Sequence, residues 1–166
     1  MNFKGLHLLI QKKNQINNKT LKKIFSLKKE HYSYSILSQK KWFEENIKSK
    51  DLNILFFLNK NLIGYNVLRD INIRSLKKKI NYLLFDTLII KKKFRGKGYS
   101  KFIMNISMTI LTNSNKKSFL FCEKLMIPFY ENYGWKVITR EKGKKILKNS
   151  QFTLHLNKKF MLFYKR

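Results

Sequence analysis

The run Asn81–Ile90, NYLLFDTLII, is apolar in both alternating registers and carries one acid, Asp86. Such a strand is buried on both faces, so it belongs in the middle of a sheet with material packed above and below it. The next segment narrows the choice further. KKKFRGKGYSKFI, Lys91–Ile103, places a glycine pair between a basic stretch and the start of an apolar helix. Glycine is needed where backbone takes positive φ or comes close to another group, and a helix start beside lysines suits an anion. A phosphate-bearing ligand is the first expectation.

The remaining pattern supplies the surroundings of that strand. Leu6–Gln11 predicts a first strand, and Asn17–Lys29 a helix with Leu21, Ile24, Phe25 and Lys28 on one face, capped by Asn18 or Thr20. Ser38–Ile47 predicts a second helix, capped by Ser38, with Trp42, Phe43 and Ile47 inward. Asn53–Leu58 and Leu62–Leu68 flank Asn-Lys-Asn, a hairpin signal. After the glycine loop, Phe102, Ile103, Ile106, Ile110 and Leu111 recur at helical spacing, and Phe119–Cys122 is a short buried strand. EKLMIPFYENYGW predicts a helix with Pro128 near its middle or second turn and Gly134 at its end, before a strand Trp135–Thr139. The tail holds a basic loop, Glu141–Ser150, and two apolar runs, FTLHL and FMLFY. The order β, α, α, β, β, β, α, β, α, β, β predicts an α+β (mixed α/β) chain on one central sheet, and a length of 166 residues suits one domain, 1–166.

A formal charge of +28 invites a nucleic-acid reading. The kind of base weakens it: of the 37 basic residues only Arg69, Arg74, Arg95, Arg140 and Arg166 are arginine, and alanine is absent altogether. That composition fits coding bias in an AT-rich genome, whereas base reading and bidentate phosphate recognition favour arginine. Nucleic acid is therefore not the expected main partner. The lone Cys122 excludes an internal disulfide framework and fits a reduced compartment; no apolar run is long enough to span a membrane, and the N-terminus lacks a signal-peptide cleavage pattern. A cytoplasmic location without membrane attachment is expected. His7, His31 and His155 have no metal-ligand spacing, so no metal is expected.

Two common phosphate loops do not fit. No G-x-x-x-x-G-K-[ST] occurs, and GKGYSK has Lys101 where a dinucleotide fingerprint needs its third glycine. Arg95-Gly96-Lys97-Gly98-Tyr99-Ser100 resembles instead the R-x-x-G-x-G/A motif of the GNAT superfamily of N-acetyltransferases, with Ser100 in place of the final small residue. Downstream, PFYENYGW resembles the second signature of that family, F-Y-x-x-x-G-[FW]. The two occur in the family's order after a suitable strand, and the element order matches over most of the chain.

The resemblance implies a mostly antiparallel central sheet with flanking helices, splayed between the strand before the glycine loop and the next one. It implies acetyl-CoA as co-substrate, with backbone of Leu88, Ile89 and Ile90 toward the pantetheine arm and acetyl carbonyl. Arg95, Gly96, Lys97, Gly98, Tyr99 and Ser100, continuing to Lys101, would hold the pyrophosphate. Tyr130 matches the tyrosine that protonates the departing thiolate, with a core aromatic as the plainer reading of the same residue. Asp86 is a candidate base or holder of a cationic amine; a turn residue at a strand bulge is its plainer reading. Water alone serves as base in some members, and Glu123 stands where the second motif often has Asn. His31, with Tyr32 and Tyr34, falls where this fold shapes the acceptor pocket. Cys122 is a small buried hydrophobe rather than a nucleophile. The stretch FCEKLMIPFYENYGW has the flavour of members that acetylate amino sugars, such as the aminoglycoside acetyltransferases, so a primary amine of a small molecule, an amino sugar first, is the expected acceptor. A protein or peptide amine is the second enzyme reading, and a catalytically inactive basic nucleic-acid-associated protein on the same fold the alternative from another class. Exposed strands at the C-terminus would offer pairing to a second copy, which makes a homodimer admissible.

Overall fold

A computed structural model describes residues 4–75, 78–148, 150–154 and 157–163. Among the described residues, seven strands and five α-helices follow one another as β1 (Leu6–Lys12), α1 (Asn18–Lys29), α2 (Ile36–Asn46), β2 (Leu52–Leu58), β3 (Asn61–Ser75), β4 (Lys78–Ile90), α3 (Tyr99–Asn113), β5 (Lys117–Glu123), α4 (Ile127–Glu131), β6 (Trp135–Val137), α5 (Arg140–Leu147) and β7 (Lys158–Phe163). The sheet order is β1-β2-β3-β4-β5-β7-β6. The pairs β1–β2, β2–β3, β5–β7 and β6–β7 are antiparallel, while β4 and β5 run parallel. The mixed, mostly antiparallel sheet expected from the sequence is present. Two compact units divide the chain, Met1–Arg69 with Thr87–Ser107 and Asp70–Asp86 with Met108–Arg166.

In the first unit the sheet is covered on both faces, as the apolar pattern of β4 requires. Residues of alternating register separate cleanly: Leu55, Phe57, Tyr65, Val67 and Ile89 join Ile24, Phe25, Leu27, Phe43 and Ile47 of the α1–α2 side in one buried cluster. On the other face Phe56 stacks on Phe102 of α3, with ring centroids 5.8 Å apart, and Ser107 Oγ donates to Asn66 Oδ1 at 3.0 Å. Gly64 lies against Ile103 of α3. A Cβ there would lie 2.6 Å from Ile103 Cδ1 and 2.9 Å from Ile90 Cδ1, with the carbonyl oxygen of Ile89 at 3.4 Å. Gly64→Ala is therefore expected to destabilise the protein by about 1–2 kcal/mol, since overpacking costs more than the lost chain freedom of glycine returns. Thermal or urea unfolding checks this; an unchanged midpoint would mean that α3 shifts without cost.

Both N-caps sit one position or more ahead of those expected. Asn17 Oδ1 accepts from Thr20 N at 2.9 Å at the start of α1, and Ser35 Oγ accepts from Ser38 N at 3.1 Å at the start of α2. The cap is the last non-helical residue whose oxygen reaches the third helical amide, and a sequence rich in Asn and Ser offers several candidates for it. The β2–β3 hairpin turns on Asn59, at φ 56°, whose amide donates to Gly5 O at 2.6 Å.

The second unit centres on Ile73, Tyr82, Leu84, Phe119, Leu147, Phe160 and Leu162. Three elements differ from expectation. Pro128 stands in the first turn of the short α4 rather than at the middle of a longer helix, because a 3₁₀ turn, Lys124–Met126, takes up the preceding residues. The stretch expected as a basic loop, Glu141–Ser150, is mostly helix α5, capped by Thr139. Its Gly143 obscured the helical signal and is there for packing: a Cβ would meet Leu154 Cδ1 at 3.0 Å and Phe160 Cδ1 at 3.1 Å. Of the FTLHL run, Phe152–Leu154 forms no strand, and His155 and Leu156 lie outside the described residues. The C-terminal strand β7 lies between β5 and β6, so it is not an edge that could pair with a second copy; β1 and β6 are the edge strands.

Candidate functional site

β4 carries the apolar run to Ile90 and changes direction within it. Thr87 has φ 59°, a left-handed conformation that a β-branched residue adopts only under constraint, at a cost of order 1–3 kcal/mol. Composition gave no signal for this kink, which directly follows Asp86. Asp86 is half-buried, as is Leu88, whereas Ile89 and Ile90 are buried. The parallel ladder with β5 covers three pairs, Tyr82↔Lys117 to Leu84↔Phe119.

After β4 the chain makes a 3₁₀ turn, Lys92–Phe94, and enters the glycine loop. Gly96 and Gly98 both have positive φ, 73° and 74°. Arg95, Gly96 and Lys97 are exposed; Gly98, Tyr99 and Ser100 are partly so. Among the described residues, none of the amides of Gly96, Lys97, Gly98, Tyr99 and Ser100 donates a backbone hydrogen bond of normal geometry, while Lys101 N is engaged with Gly98 O at 3.0 Å. α3 therefore opens with a series of unengaged donors, at the positive end of a helix whose first turn has no acid. A Cβ on Gly96 would meet nothing within 4 Å, so open space lies over the loop. Tyr99 braces it from beneath by edge contacts with Phe94 and Phe56, centroids 5.9 and 6.0 Å away. Lys93 and Lys97 place their ammonium groups 5.1 and 6.0 Å from the Phe94 ring centroid. These residues fit a pyrophosphate: donors, positive charge and room for it converge.

Arg95, expected among the phosphate ligands, is exposed and makes two side-chain contacts. Its Nε donates to Ile90 O at 2.9 Å and its Nη2 to His31 Nδ1 at 2.9 Å.

The second motif lies in the second unit. Tyr130 is buried in α4, its ring edge-on to Phe85 at 5.9 Å and to Phe129 at 5.1 Å. Gly134, at φ 84°, ends that helical turn through Gly134 N donating to Glu131 O at 2.9 Å, and Trp135 follows fully buried. Cys122 is buried, and its thiol is pushed up to about 11, by desolvation first and the neighbouring Glu123 charge second. It stays protonated at neutral pH and so is a poor nucleophile, in keeping with its reading as a small buried hydrophobe.

A family model described as the acetyltransferase (GNAT) domain matches residues 12–156. The chain belongs to the GNAT acetyltransferases. It is an N-acetyltransferase, of a family that uses acetyl-CoA as co-substrate. Among curated proteins no sequence matches it. Solved structures with the same fold include Escherichia coli ElaA, 12% identical, TM-score 0.67, over 96% of this chain and 99% of that one. An acyl-CoA N-acyltransferase from Pseudomonas aeruginosa is 11% identical, TM-score 0.68, over 96% and 99%. The ribosomal-protein-S18-alanine N-acetyltransferase from E. coli is 12% identical, TM-score 0.64, over 95% and 93%. At these identities the likeness is one of fold. Among the described residues, no helix is long and apolar enough to cross a membrane, and no group of three or more His, Cys, Asp or Glu could hold a metal ion.

Proposed function

We propose that this acetyltransferase moves the acetyl group of acetyl-CoA to a primary amine of a small molecule, an amino sugar being the first candidate, by direct attack in a ternary complex. The observation that carries the cofactor half is the run of unengaged amides from Gly96 to Ser100 at the start of α3, with open space over Gly96. These amides, the side chain of Lys97 and that of Lys101 hold the pyrophosphate, and backbone groups of Leu88–Ile90 take the pantetheine arm and the acetyl carbonyl. Acetyl-CoA supplies the acetyl group already activated as a thioester.

The residues of this chain then manage two protons. The attacking amine must be neutral, and Asp86 is the group proposed to take its proton or to hold it while cationic. The Tyr130 hydroxyl gives a proton to the departing sulfur. The large positive charge bears on both ligands. It attracts the polyanionic co-substrate, lowers the pKa of a bound ammonium group and so raises the neutral fraction, and opposes a polycationic acceptor. That disfavours polyamines and suits an amine on a neutral or anionic body. The single buried cysteine goes with the cytoplasmic location we propose for it.

Thermal unfolding with and without acetyl-CoA at fixed salt tests the cofactor half. At a hundredfold excess over Kd, binding contributes about 2.7 kcal/mol, or an upward shift of about 5–10 °C for a chain of this size. Thiol release across an amine panel then identifies the acceptor. No shift at millimolar acetyl-CoA, with steeply salt-dependent binding to duplex or RNA, would replace this reading with the nucleic-acid one.

A further inference from the structure

The arginine of the glycine-loop motif is held by the α1–α2 connection. Arginine has donors only and remains charged, so His31 Nδ1 accepts from Arg95 Nη2 at 2.9 Å, and the imidazole carries its proton on Nε2. The other end of the Arg95 head is fixed by Nε donating to Ile90 O. A second tie joins the same two segments, Lys91 Nζ pairing with Glu30 at 3.1 Å, while Lys91 N donates to Ile63 O of β3 at 2.8 Å. Glu30 and His31 directly follow α1; Lys91 and Arg95 bracket the 3₁₀ turn that leads into the glycines.

The two ties are unequal. Lys91 and Glu30 are each about a third exposed, so their ion pair contributes little. The His31–Arg95 bond is charge-assisted and directional, and its acceptor is placed by packing. The His31 ring meets Tyr32 edge-on at 4.7 Å and 78°, and Tyr32 packs against the buried cluster of the first unit. Core, Tyr32, His31, Arg95 and glycine loop thus form one chain of contacts.

We infer that His31 is a positioning residue: through Arg95 it holds the glycine loop in the conformation that presents the amides of Gly96–Ser100, and so couples the α1–α2 connection to cofactor binding. The inference rests on the loop's proposed cofactor role. It also accounts for the placement of Arg95, which sets the geometry of the loop while backbone amides and lysines meet the phosphates.

His31→Phe keeps the aromatic edge contact with Tyr32 and removes the acceptor; His31→Asn keeps a carbonyl oxygen near the Nδ1 position. His31 is exposed, so both variants should fold, and thermal unfolding without ligand checks this. By calorimetry with CoA, His31→Phe is expected to bind about fivefold more weakly and His31→Asn within about twofold of the parent. Hydrogen exchange at the amides of Glu30–Ser35 should slow when CoA binds the parent protein and respond less in His31→Phe. Equal affinity in both variants, whether unchanged or equally reduced, overturns the inference, since the hydrogen-bond acceptor would then not matter. A parent protein that fails to bind CoA overturns the cofactor reading and this inference with it; a parent that binds beside unresponsive variants overturns this inference alone.

Discussion

Gly98→Glu is expected to weaken acetyl-CoA binding by roughly a hundredfold or more. Removing two charge-assisted hydrogen bonds is enough for that, at about 1.5 kcal/mol or more each, and a carboxylate set against the pyrophosphate adds repulsion. Gly98 has φ 74°, so most side chains there also strain the backbone by about 1–2 kcal/mol. Asn and Asp tolerate that conformation best, which makes Gly98→Asn and Gly98→Asp a matched pair separating charge from bulk. The Asp variant should bind far more weakly than the Asn one. Calorimetry with acetyl-CoA on variants that unfold at temperatures near the parent's decides the matter. CoA affinity unaltered in a folded Gly98→Glu protein would remove the loop from the cofactor site.

Tyr130→Phe should lower kcat by roughly ten- to a hundredfold and leave acetyl-CoA affinity unchanged. The upper end is the low end of what general acid catalysis ordinarily contributes, about a hundredfold, and the reduction below it allows for a thiolate being a good leaving group. Burial makes this substitution clean. The Tyr130 ring keeps its edge contacts with Phe85 and Phe129 when only the hydroxyl is removed, so the fold should survive. Steady-state rates with saturating acceptor, together with the acetyl-CoA KM, separate the two effects. An unchanged kcat would leave Tyr130 as a core aromatic and nothing more.

Much of the site was legible because its signals are local. A glycine needed for positive φ, an apolar run buried on both faces and an aromatic pair ahead of Gly134 each depend on a few neighbouring residues, and Gly96, Gly98 and Gly134 do adopt the conformations that only glycine takes easily. The element order followed from the same kind of pattern. Misplaced elements were those where long-range packing overrides a local cue. In α5 the glycine that reads as a helix breaker is Gly143, whose absent Cβ would press on Leu154 and Phe160, and the first turn of α4 is where Pro128 fits.

By itself, then, the sequence determined the sheet-forming runs, the glycine loop at the start of α3 and the membership of the acetyltransferase family, since these are written in spacing and residue type. Only the tertiary structure decided that Arg95 turns to His31, 64 positions earlier, that Thr87 kinks the strand behind the loop, and that β7 is enclosed between β5 and β6. The reason is physical: a side chain's hydrogen-bond partner, a strained φ and a strand's neighbours depend on what distant segments leave open, and no local pattern encodes that.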